Sequence, residues 1–147
     1  RRPRRIFVCS MADLFHVRVP EAFVAQVFAT MAATGQHTYQ VLTKRPGRMA
    51  RLLGSDAFPQ AVFDYTVAAH GATSLTWPLS NVWLGTSVED QQRANQRIPT
   101  LLRAAVACDP TSIFSVGIAS LRFPFELGDE QVGEGRDRLL TTARRHR

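Results

Sequence analysis

Hydrophobic and polar positions along the chain repeat one pattern three times: a short apolar run, a polar cluster, then a stretch with helical periodicity. The first run, Ile6 to Cys9, has the continuous apolar character of a parallel strand covered on both faces. Pro20 opens a predicted helix, since proline is favoured at a first helical position. Phe23, Val24, Val27, Phe28 and Met31 make its apolar stripe, and Gly35 stops it. The second run is TYQVLT, Thr38 to Thr43, ending in Lys44 and Arg45. Pro46 then starts a short helix holding Met49, Leu52 and Leu53, closed by Gly54. A looser stretch from Ser55 to Ser80 contains a predicted helix around Gln60 to Ala69. The third strand is NVWLGTS, Asn81 to Ser87, followed by a helix from about Glu89 to Gln96. Pro99 is expected to break or restart that helix before Leu101 and Leu102.

The three strands begin 32 and then 43 residues apart (Ile6, Thr38, Asn81). That is the spacing of βα units, and it predicts an α/β fold with parallel neighbouring strands and right-handed crossovers. The pattern fails after Pro110. TSIFSVGIASLRFPFELG contains an apolar stretch compatible with a strand, whereas GDEQVGEGRDR is Gly-rich and charged. The expected division is a βα domain over residues 1–110 and a divergent tail over 111–147, with 128–147 expected to be poorly ordered.

Composition narrows the class. A chain of 147 residues with 45% hydrophobic positions and nine Phe is one domain with material for a core. No apolar run approaches the roughly 18 residues of a membrane helix, and no segment reads as a signal peptide. Cys9 and Cys108 are too far apart in sequence to suggest a disulfide framework, so a reducing, cytoplasmic setting is expected. The chain opens on Arg1 rather than Met and enters a strand almost at once, as expected of a fragment or of a start site chosen inside a longer gene.

The net charge of +6 changes the picture less than it first suggests. Arg1, Arg2, Arg4 and Arg5 open the chain and Arg144, Arg145 and Arg147 close it; without these seven, eleven basic residues face twelve acidic ones. The basicity belongs to the ends, as solvated tails or weak phosphate contacts, and the body is nearly neutral.

Candidate chemistry collects at the strand ends. In parallel folds ligands bind at the carboxyl ends of the strands. That rule brings Ser10, Asp13 and His16 beside Thr43, Lys44 and Arg45, with Thr86, Ser87 and Glu89 next along. Asp13 is either a ligand contact or a turn-forming Asp. His16 stands alone, as a packing histidine more often does than a catalytic one. Lys44 and Arg45 precede a helix whose macrodipole they oppose, which calls for an anionic ligand or for pairing with Asp13 or Glu89. Glu89 suits the start of its helix through the dipole alone. The sequence has no phosphate loop, no nucleophile elbow and no zinc spacing.

Taken together, IFVCSMADLFH, HTYQVLTKRP and NVWLGTSVEDQQRANQRIPTLL resemble a phage-associated protein family of unknown function that also occurs in bacterial genomes. Its members look like radical S-adenosylmethionine enzymes, with a three-cysteine motif followed by a TIM-barrel-like series of βα units. The resemblance covers about residues 3–106 and implies a partial TIM-barrel-like set of three to four parallel βα units, an open sheet with exposed edges. Full-length relatives imply an iron–sulfur cluster and S-adenosylmethionine. This chain lacks the cysteine triplet, and cluster ligation needs several thiolates, so no cofactor is expected on it. CDP, Cys108 to Pro110, stands where the family has a Glu-Pro pair.

The resemblance therefore implies a truncated member without catalysis of its own. The alternative is a non-catalytic binding module for a phosphorylated or nucleotide-like anion, held by Ser10, Asp13, His16, Thr43, Lys44, Arg45, Ser87 and Glu89. The expected partners are a small anionic ligand and, through exposed strand edges, a second copy; no membrane contact is expected.

Overall fold

The computed structural model describes residues 2–105 and 113–117. In chain order they form β1 (Arg5–Val8), α1 (Glu21–Ala33), β2 (Thr38–Thr43), α2 (Pro46–Leu53), α3 (Ala57–His70), β3 (Val82–Val88), α4 (Gln91–Ala105) and β4 (Ile113–Gly117). All four strands belong to one parallel sheet in the order β1-β2-β3-β4. The three strands read from the sequence are parallel neighbours, as their spacing predicts. A fourth lies within the apolar stretch after Pro110.

The register fixes which residues share a face. Ile6 pairs with Tyr39 and Tyr39 with Val82; Val8 pairs with Val41 and Val41 with Leu84. These residues, with Thr43, Thr86 and Val88 continuing the alternation, make the face that the helices cover. Val24, Phe28 and Met31 of α1, Met49, Leu52 and Leu53 of α2, and Phe58 and Val62 of α3 pack there as one core. A smaller cluster joins Val88 to Ala94 and Ile98 of α4. The sequential order keeps each crossover stepping the same way, and that is how an arc of a βα barrel is built. Doubly wound sheets instead reverse direction at a switch point.

Several local expectations change. Phe23 is 51% exposed, and Ala25 and Ala29 take buried places on α1 instead, because the buried face runs through Val24, Ala25, Phe28 and Ala29. Pro20 stands just before α1 with extended ψ rather than in its first turn, and Thr34 ends the helix one residue before Gly35. Cys9 lies just past β1, at a φ of +60°, and turns the chain out of the sheet. Pro99 does not break its helix: α4 runs through it. An interior proline costs about 3 kcal/mol, and burial of Ala94, Ile98 and Leu101 along the same helix offsets that. Asn81 proves to be a fastener ahead of β3, its amide donating to the Met31 and His37 carbonyls at 3.0 and 3.1 Å. The expectations for residues 118–147 lie outside the described residues.

Candidate functional site

The loop after β1 is held by two buried anchors. Leu14 and Phe15 are 2% and 0% exposed, so the chain must dive into the core directly after Asp13. Asp13 Oδ1 accepts from the Phe15 N–H at 2.9 Å, the short-range bond typical of an Asx turn. The turn aims the carboxylate at the end of β2. There Oδ1 accepts from the Thr43 hydroxyl at 2.8 Å, while Oδ2 accepts from the Lys44 N–H at 3.1 Å and from Arg45 Nη1 at 2.7 Å. Thr43 Oγ1 in turn accepts from the Arg45 N–H at 2.9 Å. Asp13 thus shapes its own turn, as a turn-forming Asp does, and also binds the end of the next strand.

The network continues sideways. The buried Thr86 hydroxyl donates to the Thr43 carbonyl at 2.8 Å, linking the end of β3 to that of β2. Beyond it, Lys44 Nζ meets Glu89 Oε1 at 2.6 Å, and Arg97 Nη1 reaches both Glu89 Oε2 and the Ser87 carbonyl at 2.7 Å. The sequence left Lys44 and Arg45 open between an anionic ligand and internal pairing. The structure pairs each with a different carboxylate.

Burial pushes the Asp13 carboxyl up, yet hydrogen bonds from Thr43, the Lys44 N–H, Arg45 and the Phe15 N–H outweigh it and hold the group below the ordinary carboxylate range. Glu89 is also lowered, first by the hydrogen bond from Lys44. The Cys9 thiol moves the other way, raised by burial and then by the nearby Asp13 charge.

Two further predicted residues lie in the same loop. The His16 Nδ1 accepts from the Arg18 N–H at 3.2 Å, and its carbonyl accepts from Arg48. Ser10 lies exposed in the turn after Cys9. Two residues that hold these strand ends escaped sequence reasoning. Arg48 clamps the loop by donating to the His16 and Val19 carbonyls. Arg97 reaches back to the end of β3. The available signal was an Arg on each helix that follows a polar strand end, but nothing in the sequence distinguishes these from Arg51 or Arg93.

The strand-end face therefore holds four cations, Lys44, Arg45, Arg48 and Arg97, and two carboxylates, Asp13 and Glu89. An Asp13 carboxylate that already accepts four hydrogen bonds is poorly placed to act as a base. The implied iron–sulfur cluster does not fit the described residues: they supply one thiol, Cys9, and no group of three metal-ligating side chains. Because the Lys44–Glu89 pair is exposed on both sides, 56% and 45%, Lys44→Ala is expected to shift stability by less than about 1 kcal/mol, measured as the thermal midpoint.

Fold and site together define a sequentially wound parallel βα protein with a charged face at its strand carboxyl ends. A family model described as "Protein of unknown function (DUF5131)" matches residues 1–113, and the chain belongs to that family. No curated protein and no solved structure matches it.

Proposed function

We propose that this chain is a partial βα barrel from a phage-associated, radical S-adenosylmethionine-like protein, cytoplasmic, and without catalytic activity of its own. The observation that carries this reading is the gathering of three polar strand ends along one sheet edge, while the described residues offer a single thiol. The sequential strand order and the resemblance of the three sequence blocks support it. The wide separation of Cys9 and Cys108 in sequence supports the reducing compartment. Anaerobic reconstitution with iron and sulfide is expected to leave far less than one cluster per chain. A stoichiometric cluster, read by iron and sulfide analysis, overturns the reading.

A second reading rests on the four cations facing two carboxylates: the strand-end face binds a phosphate-bearing anion without transforming it. Of the two cations just past β2, Lys44 is the more exposed, and truncating its side chain leaves the Asp13 network intact. Inorganic phosphate should then raise the thermal midpoint of the unaltered chain and raise that of Lys44→Ala less, through mass action on the folded state. Equal midpoints with and without phosphate in both proteins would exclude a binding face.

A further inference from the structure

A cleft of about 290 Å³ lies at the end of the sheet opposite the charged strand ends, where the chain enters β2 and β3. Ala33 and Gly35 bring the end of α1 to it, Thr66 and Ala72 the end of α3, and Ser80 and Asn81 the approach to β3. Two helices thus finish at one cleft. The last four carbonyls of an α-helix have no partner within it, and each helix end carries about half a negative elementary charge.

On α1, two of those four carbonyls are taken. The Thr34 hydroxyl donates to the Thr30 carbonyl, while the Thr34 N–H and the Asn81 amide donate to that of Met31 at 3.3 and 3.0 Å. The carbonyls of Ala32 and Ala33 receive no donor among the described residues, and both residues line the cleft. Asn81 adds an acceptor. Its amide nitrogen is spent on the Met31 and His37 carbonyls, which leaves its side-chain oxygen. No described residue lining the cleft is charged, α1 has no basic residue in its last turn, and His70 of α3 lies outside the lining.

Negative helix ends and free acceptors disfavour an anion and suit a cation that donates hydrogen bonds. A primary ammonium has three donors and no acceptor. A quaternary ammonium has no donor and is held instead by aromatic faces, and no described aromatic side chain lines this cleft. Size and wall chemistry limit the rest of the ligand. The volume falls at the small end of ligand pockets, which begin at about 300 Å³. Ala72, Leu75 and Leu79 give the wall its apolar part, which suits a short alkyl chain.

We propose that this cleft binds a small primary ammonium ion with a short aliphatic body, its N–H groups on the Ala32 and Ala33 carbonyls and the Asn81 side-chain oxygen. The site is separate from the strand-end face and stands or falls independently of it. In the test, n-butylammonium is titrated into the full, isotope-labelled chain in low-salt buffer at neutral pH, with the backbone amide resonances of Gly35, Ser74 and Ser80 as reporters. Saturable shifts are expected there. Neutral 1-butanol and donor-free tetramethylammonium should each bind about tenfold more weakly, the effect of losing one charge-assisted hydrogen bond. Ala33→Lys, at an exposed position, brings its own ammonium to the end of α1 and should abolish the shifts, in a place where the helix dipole favours a lysine. If that variant fails to fold, Ser80→Lys, also exposed, gives the same comparison. The proposal is overturned by shifts that never saturate, by 1-butanol or tetramethylammonium binding as tightly as n-butylammonium, or by undiminished binding in the lysine variant.

Discussion

Phe28→Ala is expected to cost about 4 kcal/mol, the range for deleting a fully buried Phe side chain. Phe28 is 2% exposed and is the hub at which three aromatic groups meet: Phe15 from the first loop at 6.5 Å, Phe58 from α3 at 5.5 Å and Trp77 at 6.2 Å between ring centres. Its neighbours arrive from three separate parts of the chain, so no single one can collapse into the space left behind. A domain of this size has only about 5–15 kcal/mol of stability. The variant should therefore unfold at much lower urea, with a broadened or lost cooperative transition. A urea midpoint within experimental error of the unaltered chain would show that Phe28 does not organise the core.

Asp13→Ala comes next, at about 3 kcal/mol, with a midpoint lower by on the order of 10 °C. Its side chain is 16% exposed and accepts four hydrogen bonds, one of them from the Arg45 guanidinium. Removing it strands the buried Thr43 hydroxyl and leaves a half-buried Arg45 without its counter-charge. The pH dependence follows from the lowered carboxyl. A group whose folded pKa lies below its unfolded value contributes fully above the unfolded value, near 4. That contribution is lost as pH falls through the lower, folded value. The unaltered chain should lose stability as pH falls below about 4, and Asp13→Asn should flatten that limb, because an amide does not titrate. Glu89 and Glu21 are lowered in the same sense, so the limb should shrink rather than vanish. An unchanged acid limb in Asp13→Asn would remove Asp13 as its source.

What the sequence disclosed was what short-range patterning and chain order control. Ile6–Val8, Thr38–Thr43 and Val82–Val88 carry strand character in consecutive residues, and their spacing makes parallel pairing the simplest arrangement. The polar cluster at each strand end was legible for the same reason, and Asp13, Thr43, Lys44, Arg45 and Glu89 do meet. Arg48 was not legible, because its partners are backbone carbonyls, which every residue supplies, and Arg97 divides between such a carbonyl and Glu89, eight residues before it. Pro99 misled because a local rule about one missing donor was outweighed by tertiary burial on the same helix. At His16 the carbonyl takes the Arg48 guanidinium while the imidazole accepts from the Arg18 N–H, a division of labour that residue type alone does not disclose.

The strand order β1-β2-β3-β4 has a consequence for how the chain finds its shape. Every ladder joins a strand to the one immediately before it in sequence, so each pairing closes only the segment between consecutive strands, which between β2 and β3 holds both α2 and α3. The entropy of loop closure grows only with the logarithm of loop length, and folding rates fall as contacts become more remote in sequence. A doubly wound sheet must hold its early strands in waiting until a distant one returns to the middle. Here each unit can dock on its predecessor as it forms, so assembly can run in the direction of synthesis, with the growing sheet as template for the next strand.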